Sequence, residues 1–565
     1  MRRVIDGPGR RPAGARCAPA ALLALALLLV WPAEAPAAMG RAAERAAARA
    51  APPAAPATDR APARATPKAV AAPPRLVVIL VIDMFPADFL TRFRDRFAAG
   101  GFARLIEGGA LFTDCAYRHA VTDTAPGHAS IATGTTPDRH GIVGNQWFDR
   151  ALGRMVGAVE DAEAPLVGAA APLPGASPRH LVGDTLADEV RLATGGRGRA
   201  IGISEKDRAA VLLAGRAATG AWFYEQATGR MITSRHYAQA LPAWAAAFDD
   251  ARPADRYYGR GFAAGGTTLV PPGRPGTQPG REFYAALTGT PWINALILDF
   301  ARAAIEGERL GADGDTDLLA ISLSGHDYVG HAHGPHSEAM AAMTTRADAD
   351  IAAFLRHLDE RVGRGRFWVA LTADHGTAPT LETSRRIGLG EAGYEALRVR
   401  REMSRALAAR YGEADPLRLI GETTRLWFDA GELARHRASA AEAARVAGQA
   451  AVGAGGIAGW VAGGESNMDP ATVEAYRLAT YPGRSPDLHL VRAPFALDST
   501  SVAADHGTPW SYDARVPLIL YGAPFRSGTY RLRASPIDIA PTLANALGIT
   551  PPAMATGRVL AETFR

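Results

Sequence analysis

The chain has 565 residues, 48% of them hydrophobic, and a net charge of +5. That length buries a sizeable core and allows more than one domain. The positive balance sits in Met1–Pro74, which holds eleven Arg and Lys against four Asp and Glu; Arg75–Arg565 is slightly acidic, so the basic pI is no argument for a nucleic-acid partner.

The N-terminus reads as an export signal. Arg2, Arg3, Arg10, Arg11 and Arg16 form its basic region, Ala20–Trp31 its apolar region and Ala35-Pro36-Ala37 its cleavage site. The apolar run is short for a membrane span; an uncleaved anchor is the competing reading. Cys17 precedes that run and is not placed for a lipid anchor. Removal of residues 1–38, by general or twin-arginine export, would leave a periplasmic or secreted protein without a stable membrane anchor. Cys115 would then be its only cysteine, so core and metal rather than disulfides must hold it together. Residues 39–74, rich in Ala, Pro and Arg, read as a linker. The folded domain is expected over 75–565.

Leu76–Asp83 (LVVILVID) is an apolar run closed by an aspartate, the pattern of a buried strand. Thr91–Gly108 has helical spacing. Within Val121–Asp149, Thr124 stands beside Ala-Pro-Gly at the start of a short apolar run, as a residue that opens a helix after a tight turn. An anion could lie against its hydroxyl, since helix N-termini favour negative charge; the bland reading is that Thr124 caps the helix. Ala200–Glu205, Thr316–Ser324, Phe367–Asp374 and Val516–Tyr521 are further strand-like runs. Pro291–Leu310, closed by Gly311, and Ser337–Val362 are helical patterns between them. This alternation predicts an α/β fold, a mostly parallel central sheet with helices on both faces and a ligand site at the carboxyl ends of the strands. Two regions interrupt it. Residues 224–290 read as a hairpin with an extension. Residues 384–481, with helix-like REMSRALAARYG and AAEAARVAGQAA, read as an inserted cap over the site.

In SGHDYVGHAHGPHS, Asp327 and His331 are four apart and share a helical face. Carboxylate plus imidazole suits zinc. His333 lies two residues further and turns away; neither it nor His336 is taken as a ligand. Asp374-His375 ends FWVALTADHGT, where Gly376 breaks the strand and lets both side chains reach one metal. ADHGT recurs at Ala504–Thr508 and brings His506. Each of these, with Asp83, could singly be a buried polar group with a partner. Together, Asp83, Asp327, Asp374, His331, His375, His506 and the Thr124 hydroxyl can fill two zinc sites. His128, His140 and His489 are not needed and read as structural. In IGISEKDR, Lys206 is one of only two lysines in an Arg-biased chain and stands two residues from Arg208. Strand alternation would put both on one side; the alternative is a surface cluster with Glu205 and Asp207.

The order D…T-x-P-G-H…N…K-D-R…D-x-x-x-H…D-H…H resembles the alkaline phosphatase superfamily, on its PafA-type branch with a threonine nucleophile, and more distantly the nucleotide pyrophosphatase/phosphodiesterases. The match spans nearly all of Arg75–Arg565 outside the two insertions. The resemblance implies a two-zinc phosphate monoester hydrolase that forms a phosphothreonine on Thr124. By it, Asp327, His331 and His506 hold one zinc; Asp83, Asp374 and His375, with Thr124, hold the other. Asn145, Lys206 and Arg208 would contact the phosphoryl oxygens, although Gly-Asn is also a common turn pair. A lysine and an arginine fork reward the extra charged oxygen of a small-molecule monoester over a diester. A phosphodiesterase or nucleotide pyrophosphatase is the nearest alternative, and a catalytically inactive metal- or phosphate-binding envelope protein the alternative of another class. A sulfatase would need an oxidisable Cys or Ser where Thr124 stands, and a phosphoglycerate mutase a serine.

Overall fold

The computed structural model describes residues 73–565 apart from 171–172, 261–262, 265–266, 269–276, 390–392, 413–416 and 500–501. The expected export signal, and the expected linker up to residue 72, lie outside the described residues. Among the described residues, no helix is long and apolar enough to cross a membrane.

Strand Leu76–Ile82 is the axis of a ten-stranded sheet. All seven of its side chains are buried, which is why the run is wholly aliphatic: a strand covered on both faces has no solvent-facing register. It pairs in parallel with Asp317–Leu323 on one side and Phe367–Thr372 on the other. Ala200–Ser204 and then Gly220–Glu225 extend the parallel run. The register sets Ile82 beside Leu323, Val81 beside Thr372 and Ser322 beside Ser204. Whatever follows those strands therefore emerges along one edge, where ligands bind in sheets of this kind.

Helices cover both faces. An added Cβ on Gly202 would lie 2.3 Å from the Ala210 carbonyl, so Gly202 faces the Asp207–Ala214 helix. Its neighbours Ile201 and Ile203 point the other way and share a core cluster with Leu296 and Ile297 of helix Pro291–Gly307.

Three local features differ from the expected pattern. Leu518–Tyr521 runs antiparallel to Phe367–Thr372. It therefore begins, rather than ends, at the site edge, and the loop before it is what delivers His506 there. The expected helix Thr91–Gly108 is broken into Phe89–Arg92, a short turn and Phe102–Gly108. The Asp348 carboxylate accepts from the Ala98 and Phe102 amides, both at 2.6 Å, and takes the place of helical partners. The hairpin strands Gly220–Glu225 and Arg230–Ser234 belong to the main sheet itself.

Over the site edge stands a second, antiparallel sheet made of Leu419–Glu422, Arg425–Phe428, Leu488–Arg492, Ile457–Ala462 and Glu465–Ser466. Both helix-like segments are helices, Ala396–Tyr411 and Ala440–Gly453. They close a separate core of Val399, Met403, Leu407, Ala447, Trp460 and Leu488.

Candidate active site

Asp83 is the first residue past the axial strand. The chain turns at once: Met84 has φ 55°, and its amide donates to Asp374 Oδ1 at 3.2 Å. Helix Thr124–Thr133 begins beside it. Its N-cap is Asp123, extended at φ −105°, ψ 164° and making no side-chain cap bond. Thr124 is thus the first helical residue, not the cap, and its hydroxyl lies 3.4 Å from Lys206 Nζ. Helix Gly325–His333 carries Asp327 and His331.

These elements bring all seven expected ligand-type side chains to one place. His375 Nε2 is 3.3 Å from Asp83 Oδ1 and 3.5 Å from Asp374 Oδ2. Asp327 Oδ1 is 3.3 Å from His331 Nε2 and 3.7 Å from His506 Nε2. The His375 and His506 rings stack with centroids 3.6 Å apart. Among the described residues, three groupings have ligand atoms within 4.8 Å of one another: Asp83 with Asp374 and His375, Asp327 with His375 and His506, and His331 with Asp505 and His506.

The donor set fits cations. Asp83 Oδ1, Asp327 Oδ1, Asp374 Oδ2 and His375 Nε2 are buried without a hydrogen-bond partner, a costly state unless a cation is bound among them. Nδ1 of His331, His375 and His506 each lies within hydrogen-bond distance of a backbone carbonyl, of Ala504 at 2.8 Å, Gly376 at 2.9 Å and Thr122 at 2.9 Å. Donation from Nδ1 leaves each Nε2 lone pair aimed inward, the arrangement that orients a metal-binding imidazole. Burial and then Asp83 push the Asp374 carboxyl well above the carboxylate range. Burial opposes charge on His375, yet Asp374 and Asp83 lift it to about 10. Negative charge packed this tightly takes up protons when it lacks cations.

Lys206 and Arg208 reach the site by a different route from strand alternation. The strand ends at Ser204, Lys206 is the N-cap of helix Asp207–Ala214 and Arg208 lies in its first turn. Lys206 is no surface residue. It is buried, with Nζ 2.7 Å from Asp83 Oδ2 and 2.6 Å from Asp327 Oδ2. Burial disfavours its charge, but Asp327 and Asp83 hold its pKa above the usual lysine value. Arg208 Nε donates to Asn145 Oδ1 at 3.1 Å, and the same oxygen accepts from the Ala125 amide at 2.9 Å. Asn145 thus has its oxygen occupied, and its amide donors are directed away from both partners.

His128 and His140 take structural bonds. His128 links the Thr124 carbonyl and the Ser322 hydroxyl, each at 2.8 Å. His140 pairs with Ser130. His489 lies in the second sheet. His333 and His336 belong to none of the metal-capable groupings. Sequence reasoning missed Asp123, Asp505, Arg425 and Arg492. Arg425 of the second sheet pairs with Asp123, next to Thr124. Arg492 pairs with Asp505 at 2.7 Å and donates to the His506 carbonyl. The second ADHGT was the available signal for Asp505, because its first copy supplies both an Asp and a His.

A hydroxyl at a helix start, facing buried acids and imidazoles at the edge of a parallel sheet, is the arrangement that suits a metal-assisted phosphoryl-transfer hydrolase. Residues 77–491 match the family described as type I phosphodiesterase / nucleotide pyrophosphatase. The chain is 32% identical to alkaline phosphatase PhoV of Synechococcus elongatus, over 88% of this chain and 94% of that one. It is 30% identical to alkaline phosphatase PafA of Elizabethkingia meningoseptica, over 87% and 94%. A crystal structure of wild-type PafA superposes with a TM-score of 0.79 at 28% identity, over 87% of this chain and 99% of that one. The chain belongs to this family, as a PafA-like member of the alkaline phosphatase superfamily, and is a phosphoric monoester hydrolase.

Proposed function

We propose that the enzyme is a two-zinc alkaline phosphatase of the periplasm or the secreted fraction, working through a phosphothreonine on Thr124. Asp327, His331 and His506 would hold one ion. Asp83, Asp374 and His375, with the Thr124 oxygen, would hold the other. When bound, the two ions supply charge that favours the Thr124 alkoxide and the departing oxygen.

The chain's own residues do the rest. Thr124 Oγ gives its proton to solvent and forms a bond to phosphorus as the ester P–O bond breaks; the alcohol leaves and takes a proton from solvent. Water then attacks phosphorus, the Thr124–phosphorus bond breaks, and inorganic phosphate and the hydroxyl are restored. Covalent catalysis divides one displacement into two. Lys206, Arg208 and the Asn145 amide would bind the non-bridging oxygens through both steps, and positioning of this kind supplies most of the rate. The observation that carries the reading is Lys206 Nζ at 3.4 Å from the Thr124 hydroxyl and in contact with one acid of each ligand group.

A nucleotide pyrophosphatase is the second reading, favoured by the family description. Charge decides between them. A diester offers one charged oxygen fewer, so Lys206 and Arg208 gain less from it. Lys206→Ala and Arg208→Ala are expected to lower kcat/KM for an aryl monoester by about 100-fold or more and for the matched diester far less, at unchanged zinc content. Equal losses on both substrates would count against the monoesterase reading.

A further inference from the structure

Two cavities meet at Asn145. One, of about 570 Å3, is walled by Lys206, Arg208, Phe223, Tyr224 and Tyr328. The other, of about 510 Å3, lies beneath the second sheet and reaches His331 and His506. In an in-line transfer the alcohol departs opposite Thr124, toward the acid–imidazole group of Asp327, His331 and His506, and therefore into the second cavity. This step rests on the function proposed above.

That cavity has a definite charge. Asp123, Glu422, Asp498 and Asp505 line it, against Arg425 and Arg492. Both arginines are already committed. Arg425 places one terminal nitrogen on Asp123 and the other on Glu422 at 2.7 Å. Arg492 gives one to Asp505 and the other to the His506 carbonyl. Among the described residues that line the cavity, neither guanidinium is left over for an anion on the alcohol, and four acids face two arginines. The Glu422–Arg425 turn instead offers the Thr423 and Thr424 hydroxyls.

We propose that this cavity receives the alcohol half of the ester and selects neutral or cationic, hydroxyl-bearing alcohols over those carrying a second anionic group.

The test compares kcat/KM of the zinc-loaded enzyme on 2-aminoethyl phosphate, glycerol 2-phosphate and 3-phosphoglycerate, with an aryl phosphate as reference. The first two are expected to exceed 3-phosphoglycerate by about tenfold, a gap that narrows with added salt. Thr423→Lys, which places a further cation at a half-buried position of the turn, is expected to raise 3-phosphoglycerate about fivefold relative to glycerol 2-phosphate. Equal or better use of 3-phosphoglycerate by the native enzyme, with aryl phosphate turned over, overturns the selectivity alone. No aryl turnover with zinc loaded overturns the phosphatase reading and the subsite with it.

Discussion

Asn145 shows how much depends on which end of one amide faces the substrate. Its oxygen accepts from the Ala125 amide and from Arg208 Nε, so in the proposed mechanism only the amide nitrogen is left to donate to a phosphoryl oxygen. Asn145→Asp keeps both accepted bonds and replaces that donor with an anion. The expected loss in kcat/KM on an aryl phosphate is about 1,000-fold, the upper end for removing one transition-state donor, with the fold kept. Asn145→Ala should retain more activity than Asn145→Asp; the reverse order in a steady-state comparison would mean that the amide faces elsewhere. At this scale the sequence was legible where chemistry is carried by residue type and spacing. Asp327 with His331, Asp374 with His375, and a solitary lysine are such signals. Arg425 and Arg492 gave none. They are two arginines among many, and their meaning depends on Asp123 and Asp505, which reach them only through the folded second sheet.

Elements fix the site by how closely they approach one another. Helix Thr124–Thr133 lies against the end of strand Phe367–Thr372 through Gly127, where an added Cβ would sit 2.4 Å from the Asp374 carbonyl and 2.7 Å from its Cβ. Helix propensity alone would make Gly127→Ala stabilising by about 1 kcal/mol. Contact with backbone at that distance wins, because neither element can yield without moving Thr124 from Asp374. The variant is expected to melt several degrees lower and to lose most of its aryl phosphatase activity; a higher Tm with native kcat would contradict the packing argument. The hairpin strand Arg230–Ser234 makes a pH-dependent case. Asp249 accepts from the Met231 amide at 2.9 Å, and its second oxygen is buried without a partner. Burial lifts its pKa to about 6. A carboxyl raised in the folded state stabilises fully below its unfolded value, and that contribution is lost as pH rises through 6. Asp249→Asn does not titrate, so its urea midpoint should improve relative to the native protein between pH 5 and pH 8. Strand and helix identities were readable from hydrophobic period. The antiparallel entry of Leu518–Tyr521 and the break at Ala98–Gly101 were not, because partner strands and Asp348 lie far along the chain.

The two largest sheets of the described residues meet at the candidate site. The main sheet presents Thr124 and most of the proposed ligand residues at its edge, and the second sheet contributes Arg425 and Arg492 to the loops carrying Asp123 and His506. Asp123 makes no cap bond to its own helix because its carboxylate is turned to Arg425. The second sheet therefore sets the residue next to Thr124, the proposed nucleophile. Removing one member of a buried ion pair leaves the other uncompensated, which costs about 3–5 kcal/mol, whereas replacing both is far cheaper. Arg425→Met should thus lower stability by about 3 kcal/mol and reduce kcat, with Asp123 left charged beside Thr124. Asp123→Asn in that background should restore much of the stability, so that the double variant is less damaged than the sum of the two singles. Urea unfolding followed by tryptophan fluorescence measures the coupling, and aryl phosphate turnover measures whether it reaches Thr124. Additive losses in both would mean that the second sheet merely covers the site and does not position it.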